Sequence, residues 1–220
     1  MGAAAVHQFV RAIPVLLDAL GQTLLLSLAT FVCAGVAGAF LAEISRLPSR
    51  AFRWTLRRYV DVVRGIPLLV FLFLVYYVLP LFGLAPSNFA SAVIALSLYF
   101  SGYVAEILRG AIGAIPSGQV QGAIALGMRR WKIELIVIVP QAARIALPPL
   151  LNLSSIIIKS TSLVSIIGIW ELTYATREIV TRTLLPFEFF VTAMAIYFVV
   201  CYGIVRLSGV LERRLAKAYA

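Results

Sequence analysis

Apolar residues in this chain come in long uncharged blocks separated by short clusters of arginine, lysine, proline and glycine. Blocks of that length predict membrane-spanning helices, each needing about 20 apolar residues at 1.5 Å per residue. Residues 19–42 carry no charge and end at Glu43, so they predict a first span. The preceding residues 1–18 are interrupted by Pro14 and Asp18 and predict an interfacial helix leading into it. That segment has no basic stretch before its apolar part and no clear small-residue cleavage site, so it is read as staying in the mature chain. Gly65 to Ala105 is one uncharged run of 41 residues, too long for one span, and Pro80, Gly83 and Pro86 divide it. This predicts a second span near 60–80 and a third near 88–107. A fourth fits 145–166 and a fifth 187–206, giving an all-α integral membrane protein of about five transmembrane helices.

The run 110–128 has the length of a span but the wrong content. Pro116, Ser117, Gly118, Gln119, Gln121 and Gly122 cluster at its centre, and Arg129, Arg130 and Lys132 follow. It predicts a loop over 114–144 and a short helix outside the bilayer, beginning after the Pro116 break and ending around Gly127. Val120, Ala123, Ile124, Leu126 and Met128 would supply apolar contacts, and small residues would let another protein approach the backbone. Two readings fit these features: a helix docked in a partner's groove, or one resting on lipid.

Composition agrees with lipid as the main solvent. The chain has 220 residues, 62% apolar and 13% charged, and a mean hydropathy of +1.00. Little length remains for a separate soluble catalytic or nucleotide-binding domain, so 1–220 is read as a single transmembrane domain. The net charge of +10 could suggest nucleic acid, but position argues otherwise. Thirteen basic residues fall on one side of the five-span arrangement: Arg46, Arg50, Arg53, Arg57 and Arg58; Arg109, Arg129, Arg130 and Lys132; Arg206, Arg213, Arg214 and Lys217. The positive-inside rule then puts the N-terminus outside and the C-terminus and the 114–144 loop inside, with lipid headgroups rather than nucleic acid as the expected partner. Cys33 and Cys201, without any CxxC spacing, read as small buried hydrophobes. The single His7 carries no chemistry.

Charges inside spans are functional hypotheses by default. Lys159, with Ser160, Thr161, Ser162 and Ser165, places a cation and hydroxyls in an apolar run. They could meet the carboxylate and amino group of a passing amino acid; alternatively Lys159 snorkels and the hydroxyls bond back to their own helix. Asp61 and Arg64, three residues apart beside Gly65-Ile66-Pro67, read as a paired hinge or bundle contact, and Glu106 with Arg109 reads similarly. Glu171, Tyr174 and Arg177 fall in the outer connection after the fourth span, where two readings fit: contact with an extracytoplasmic partner, or a plain exposed polar loop. The chain contains no GxxxxGK[ST] phosphate loop, no HExxH and no Cys/His cluster, so neither hydrolytic nor metal chemistry is expected of it. A secondary transporter or channel is the alternative class, but intramembrane acids and paired half-repeats are lacking.

Gln121-Gly122-Ala123, Gly127, then Val137, Val139 and Pro140 match the spacing EAA-x3-G-x9-I-x-LP found in ABC importer permeases. Further segments are similar to the polar amino-acid permeases of that superfamily: Arg64-Gly65-Ile66-Pro67-Leu68-Leu69-Val70, Ala105-Glu106-Ile107-Leu108-Arg109-Gly110, Ile115-Pro116-Ser117-Gly118-Gln119, Ala125-Leu126-Gly127-Met128, Pro140-Gln141-Ala142, Thr161-Ser162-Leu163-Val164 and Leu211-Glu212-Arg213-Arg214-Leu215. The resemblance runs from about residue 17 to 216, and its strength lies in the shared order. It implies a transport subunit, not an enzyme, in a bacterial inner membrane. The implied partners are a second permease, identical or not, two cytoplasmic ATPases that bind ATP and Mg, and an extracytoplasmic amino-acid-binding protein; the chain itself would bind no cofactor. The helix over 117–131 would be the coupling helix, carrying Gly118, Gln119, Gln121, Gly122, Ala123, Gly127 and Met128 to the ATPase. The chain departs from the family at Gln121, where Glu is usual, and at Gly122, where Ala is common, which weakens the case for a homodimer.

Overall fold

The computed structural model describes residues 3–46 and 49–217, with backbone only for 3–7 and 214–217. The side chain of His7, and those of Arg214 and Lys217 from the basic count above, therefore lie outside what the structure describes. The described residues are mostly helical, with four helices long and apolar enough to cross a membrane and one bent pair that gives a fifth when counted as a single span.

Helix α1 (Ala3–Ile44) is continuous, so no break separates the segment 1–18 from the first span. The reason is a stripe at three- and four-residue spacing that runs past both Pro14 and Asp18. Ala12, Leu16, Ala19, Thr23, Leu26, Thr30, Ala34 and Ala42 are all buried along it, which makes one packed face of what looked like two elements. Helix α2 (Arg50–Gly65) and helix α3 (Leu68–Val78), extended by a 3-10 turn Leu79–Phe82, replace the straight span expected over 60–80. They meet at 110°. Pro67 cannot tolerate a helical residue before it; Ile66 is extended, at φ −96° and ψ 135°, so α2 ends there. The Tyr99 hydroxyl donates to the Ile66 carbonyl at 3.3 Å, partnering the elbow.

Helix α4 (Asn88–Gly113) is the hub, capped by Ser87, whose hydroxyl accepts from the Ala90 N–H at 3.2 Å. It packs against α1, α2 and α3, and its Leu96, Phe100 and Val104 join Leu26, Ala34, Val63 and Leu72 in the main core. A Cβ added to Gly38 on α1 would fall 2.5 Å from the Val104 Cβ and 2.8 Å from the Ser101 carbonyl oxygen. Only a missing side chain permits so close an approach of the two backbones.

Helix α5 (Ser117–Ala125) is followed by a short turn and a long rod. The rod comprises α6 (Arg130–Lys132), a π segment Ile133–Ile138, helix α7 (Val139–Ser160) and a 3-10 stretch Thr161–Ile167. It starts well before the span expected at 145. Pro140 accounts for the wide π turn: it has no N–H for the Ile136 carbonyl and its ring would clash there. Arg46 clamps this segment to the end of α1, forming ion pairs with both Glu43 (3.1 Å) and Glu134. Helix α8 (Leu172–Thr183) and helix α9 (Pro186–Lys217) complete the chain; α8 was not foreseen, and α9 extends beyond both ends of the expected 187–206. Helix α9 packs on α7 and α8.

Candidate functional site

Three places gather the residues singled out from the sequence. At the first, α5 stands between the Pro116 break and a left-handed turn. The Met128 N–H reaches the Ala123 carbonyl at 3.1 Å and the Gly127 N–H reaches that of Ile124 at 2.9 Å, with Gly127 at φ +72°. This is a Schellman ending with glycine at the left-handed position. The helix therefore stops at Ala125, short of the expected 131, and Arg130 already belongs to the rod. Val120, Ala123 and Met128 pack on Ile133 and Ile138, so the buried Ala123 fastens α5 to its own chain, and Met128 is half-buried against the same cluster. Gly118, Gln119, Gln121, Gly122 and Gly127 are exposed, and a Cβ on any of the three glycines would meet nothing within 4 Å. Two of the apolar residues expected to supply contacts share this surface: Ile124 at 61% and Leu126 at 83% exposure. The helical spacing from Ala123 to Ile124, a rotation of 100°, was the signal that could have separated the two faces.

The second place is an open cleft of about 560 Å³ between α7 and α9, lined by Ser155, Lys159, Ser162, Tyr197, Tyr202 and neighbouring apolar groups. Residues 155, 159 and 162 recur at helical spacing and share a face. Ser160 and Thr161 do not line the cleft, and Thr161 is fully buried on another face. The Thr161 and Ser162 hydroxyls both donate to carbonyls three residues back, at 2.7 Å. Tyr197 was missed, yet it ties the cleft to Glu171. Far from being exposed, Glu171 is completely buried, caps α8 by accepting from the Tyr174 N–H at 2.7 Å, and accepts the Tyr197 hydroxyl at 2.8 Å. It lies between the spans, and burial pushes its carboxyl above the ordinary range, with the hydrogen bonds from α8 and Tyr197 pulling the other way. Of its expected neighbours, Tyr174 is half-buried against Trp170, with ring centroids 5.8 Å apart, and Arg177 is exposed.

At the third place, the ends of α1, α2 and α4 enclose a cavity of about 260 Å³ containing Arg53, Arg57, Asp61, Arg64, Glu106 and Arg109. Glu106 and Arg109 form the expected pair, at 3.0 and 2.5 Å. Asp61 and Arg64 do not pair among the described residues. The guanidinium of Arg64 lies instead 5.5 Å from the Tyr103 ring centroid, because the helix ends at Gly65 and α4 offers an aromatic face. Gly65 and Pro67 flank the elbow itself. Cys33 also departs from expectation, since it is exposed on α1; Cys201 is buried, its thiol directed at the Ser155 carbonyl at 3.8 Å. No group of three or more potential metal ligands occurs among the described residues.

Residues 34–217 match the family described as "Binding-protein-dependent transport system inner membrane component". The chain belongs to that family. As an inner-membrane component it is part of a transport system and not an enzyme. It is 36% identical over 209 residues to the L-cystine transport system permease protein TcyB of Bacillus subtilis (strain 168), covering 94% of this chain and 89% of that protein. It is 34% identical to the probable amino-acid ABC transporter permease protein YckA of the same organism, with 96% and 92% covered. A crystal structure described as an amino acid ABC transporter with histidines superposes with a TM-score of 0.87 at 34% identity, covering 94% of this chain and 96% of that one. ABC importer partnership follows for this inner-membrane component.

Proposed function

We propose that this inner-membrane component forms half of the translocation pathway of an ATP-driven importer for amino acids or their derivatives, with α5 on the cytoplasmic side. A second permease, identical or not, would complete the pathway, an extracytoplasmic binding protein would deliver substrate, and two ATPases would bind ATP and Mg. The observation that carries the coupling role is the outward surface of α5, where three glycines expose backbone beside Ile124 and Leu126. Helix α5 is held to the rod through Ala123, Ile133 and Ile138, so a partner that seizes its outer face moves α7 as well. A lever of this kind couples two transporter states only if ATP and loaded binding protein favour different states.

The substrate reading rests on Lys159 and Ser162 opening on one cleft with Tyr197, where a cation and hydroxyls could meet a carboxylate. Ser160 and Thr161 would serve the helix rather than the solute. Asp61, Arg64, Gly65, Pro67, Glu106 and Arg109 would form a structural or gating joint at the elbow.

Replacing both Ile124 and Leu126 by Ala tests the coupling surface without straining Gly127. Burying a leucine side chain is worth about 2 kcal/mol, so loss of the pair should weaken ATPase co-purification by on the order of 100-fold or more while leaving insertion intact. Unchanged co-purification and uptake would overturn the placement. Gly127→Trp is a poorer probe, because any side chain at φ +72° disturbs the turn as well as the surface.

A further inference from the structure

The cleft between α7 and α9 offers an amino acid a cation but no anion. Lys159 lines it, and none of the lining residues is a carboxylate. The lining hydroxyls differ in their neighbours. Ser162 shares a helix face with Lys159 and gives its proton to the Lys159 carbonyl at 2.7 Å. The Tyr202 oxygen already accepts from the Arg206 guanidinium at 2.7 Å. Both are therefore poor places for a second cation. Tyr197 stands apart, because its hydroxyl is hydrogen-bonded to a carboxylate, that of Glu171.

Glu171 is completely buried, and no ion pair holds it among the described residues. A buried carboxylate is costly unless its oxygens are hydrogen-bonded, and both are. Oε1 accepts from the Tyr174 N–H at 2.7 Å and Oε2 from the Tyr197 hydroxyl at 2.8 Å. The next residue, Leu172, donates its N–H to the buried Thr23 hydroxyl at 3.0 Å, so α1 fixes the start of α8 while α9 supplies the tyrosine. A phenol has one proton to give. With that proton directed at Glu171, the Tyr197 oxygen meets the Thr173 hydroxyl, 3.1 Å away, as an acceptor, and a polar group that approaches it from the cleft must also donate. The carboxylate behind the phenol strengthens this preference, since linked hydrogen bonds polarise one another.

We propose that the Tyr197 oxygen receives the α-ammonium group of an amino-acid substrate, across the cleft from Lys159, and that Glu171 is a positioning residue that never touches the solute but keeps the phenol turned as an acceptor. The inference rests on the reading of this cleft as the substrate site. It adds a direction to that reading, with the solute's carboxylate toward α7 and its ammonium group toward α9. It also adds a selectivity, because a carboxylic acid without the amino group leaves the Tyr197 oxygen unpaired.

The test is isothermal titration calorimetry on the full-length chain with its co-purifying subunits, in mild detergent and without a binding protein. The standard L-amino acids are titrated in turn, and the tightest is compared with the des-amino acid of the same side chain. A hydrogen bond to a charged group carries on the order of 10- to 100-fold in affinity, so the wild type should favour the amino acid by about that factor. Tyr197→Phe should abolish the preference by weakening the amino acid alone. Glu171→Gln keeps an acceptor but not the charge, and should lose part of the preference; Tyr197→Phe/Glu171→Gln should lose no more than Tyr197→Phe, since the two residues act in series. Equal weakening of both ligands would mark a packing defect and overturn the proposal, and Tyr197→Phe decides this even if Glu171→Gln does not fold. Full amino-acid affinity in Tyr197→Phe, with affinity lost in Lys159→Met, would overturn the proposal and leave the cleft as the substrate site. Binding of no amino acid by the wild type, or binding that Lys159→Met leaves unchanged, would instead remove the substrate reading of the cleft, and the proposal with it.

Discussion

Gly38→Ala is the smallest change that should loosen the bundle. The added methyl would lie 2.5 Å from the Val104 Cβ, 2.6 Å from its Cγ1 and 2.8 Å from the Ser101 carbonyl oxygen, where carbon atoms prefer about 3.5–4.0 Å. Val104 is 1% exposed, and turning its side chain would move Cγ1 but neither Cβ nor the carbonyl. Relief therefore requires α1 and α4 to part by about 1 Å, thinning contacts along Thr30, Ala34 and Ala42 as well. Overpacking costs about 1–3 kcal/mol, and the rigid obstacles put this case near the upper end. Val104→Ala removes only the Cγ1 clash, so Gly38→Ala/Val104→Ala should recover part of the loss and not all of it. Gly35→Ala on the same helix is the control, since its Cβ would meet nothing within 4 Å, and it should be stabilising by up to about 1 kcal/mol through helix propensity. Unfolding in mixed micelles by titrated SDS measures the four proteins of the double-mutant cycle and the Gly35→Ala control. Gly38→Ala within about 0.5 kcal/mol of wild type, against the expected overpacking cost, or complete rescue by Val104→Ala, would refute the close approach.

Three further outcomes follow from buried charge, backbone strain and the cleft. Burial raises the Glu171 pKa in the folded state, so the folded protein holds that proton more tightly than the unfolded chain; stability is fullest below the unfolded value of about 4.3 and falls as pH rises through the folded one. Melting temperatures between pH 4.5 and 7.5 should thus fall with pH for wild type relative to Glu171→Gln, and the opposite slope would contradict the assignment. Leu184 is 81% exposed and sits at φ +56° after α8; Leu184→Gly should raise stability by about 1 kcal/mol in thermal unfolding, because the left-handed region penalises a side chain, and a loss would show that Leu184 is held by something else. Lys159→Met should reduce substrate-stimulated ATPase activity and uptake in proteoliposomes while leaving basal hydrolysis unchanged, and an unaltered substrate dependence would remove Lys159 from the pathway.

Much of the architecture is legible in the chain because lipid is an unforgiving solvent. A run without charge must be a helix if it crosses, so the third span falls within α4 and the fifth within α9. Breaks were legible too when proline or glycine forced them, as at Pro80 to Pro86 and at Pro116. The candidate sites were less legible. Helical spacing brings Lys159 and Ser162 to one face, but the partner of that face, Tyr197, lies nearly forty residues away in sequence. Gln121 and Ala123 are two residues apart, yet one is exposed and the other packs on Ile133 and Ile138.

By itself the sequence determined that the chain lives in a membrane, roughly where it crosses, and which transport family it belongs to, because these follow from local hydrocarbon content and ordered motifs. Only the tertiary structure decided that α1 is one helix across Asp18, that Pro67 turns α2 aside, and that Glu171 is buried under Tyr197. The physical reason is common to all three. Each depends on which helix lies against which face, and a carboxylate, a glycine or an arginine carries no mark of its neighbours until the helices have packed.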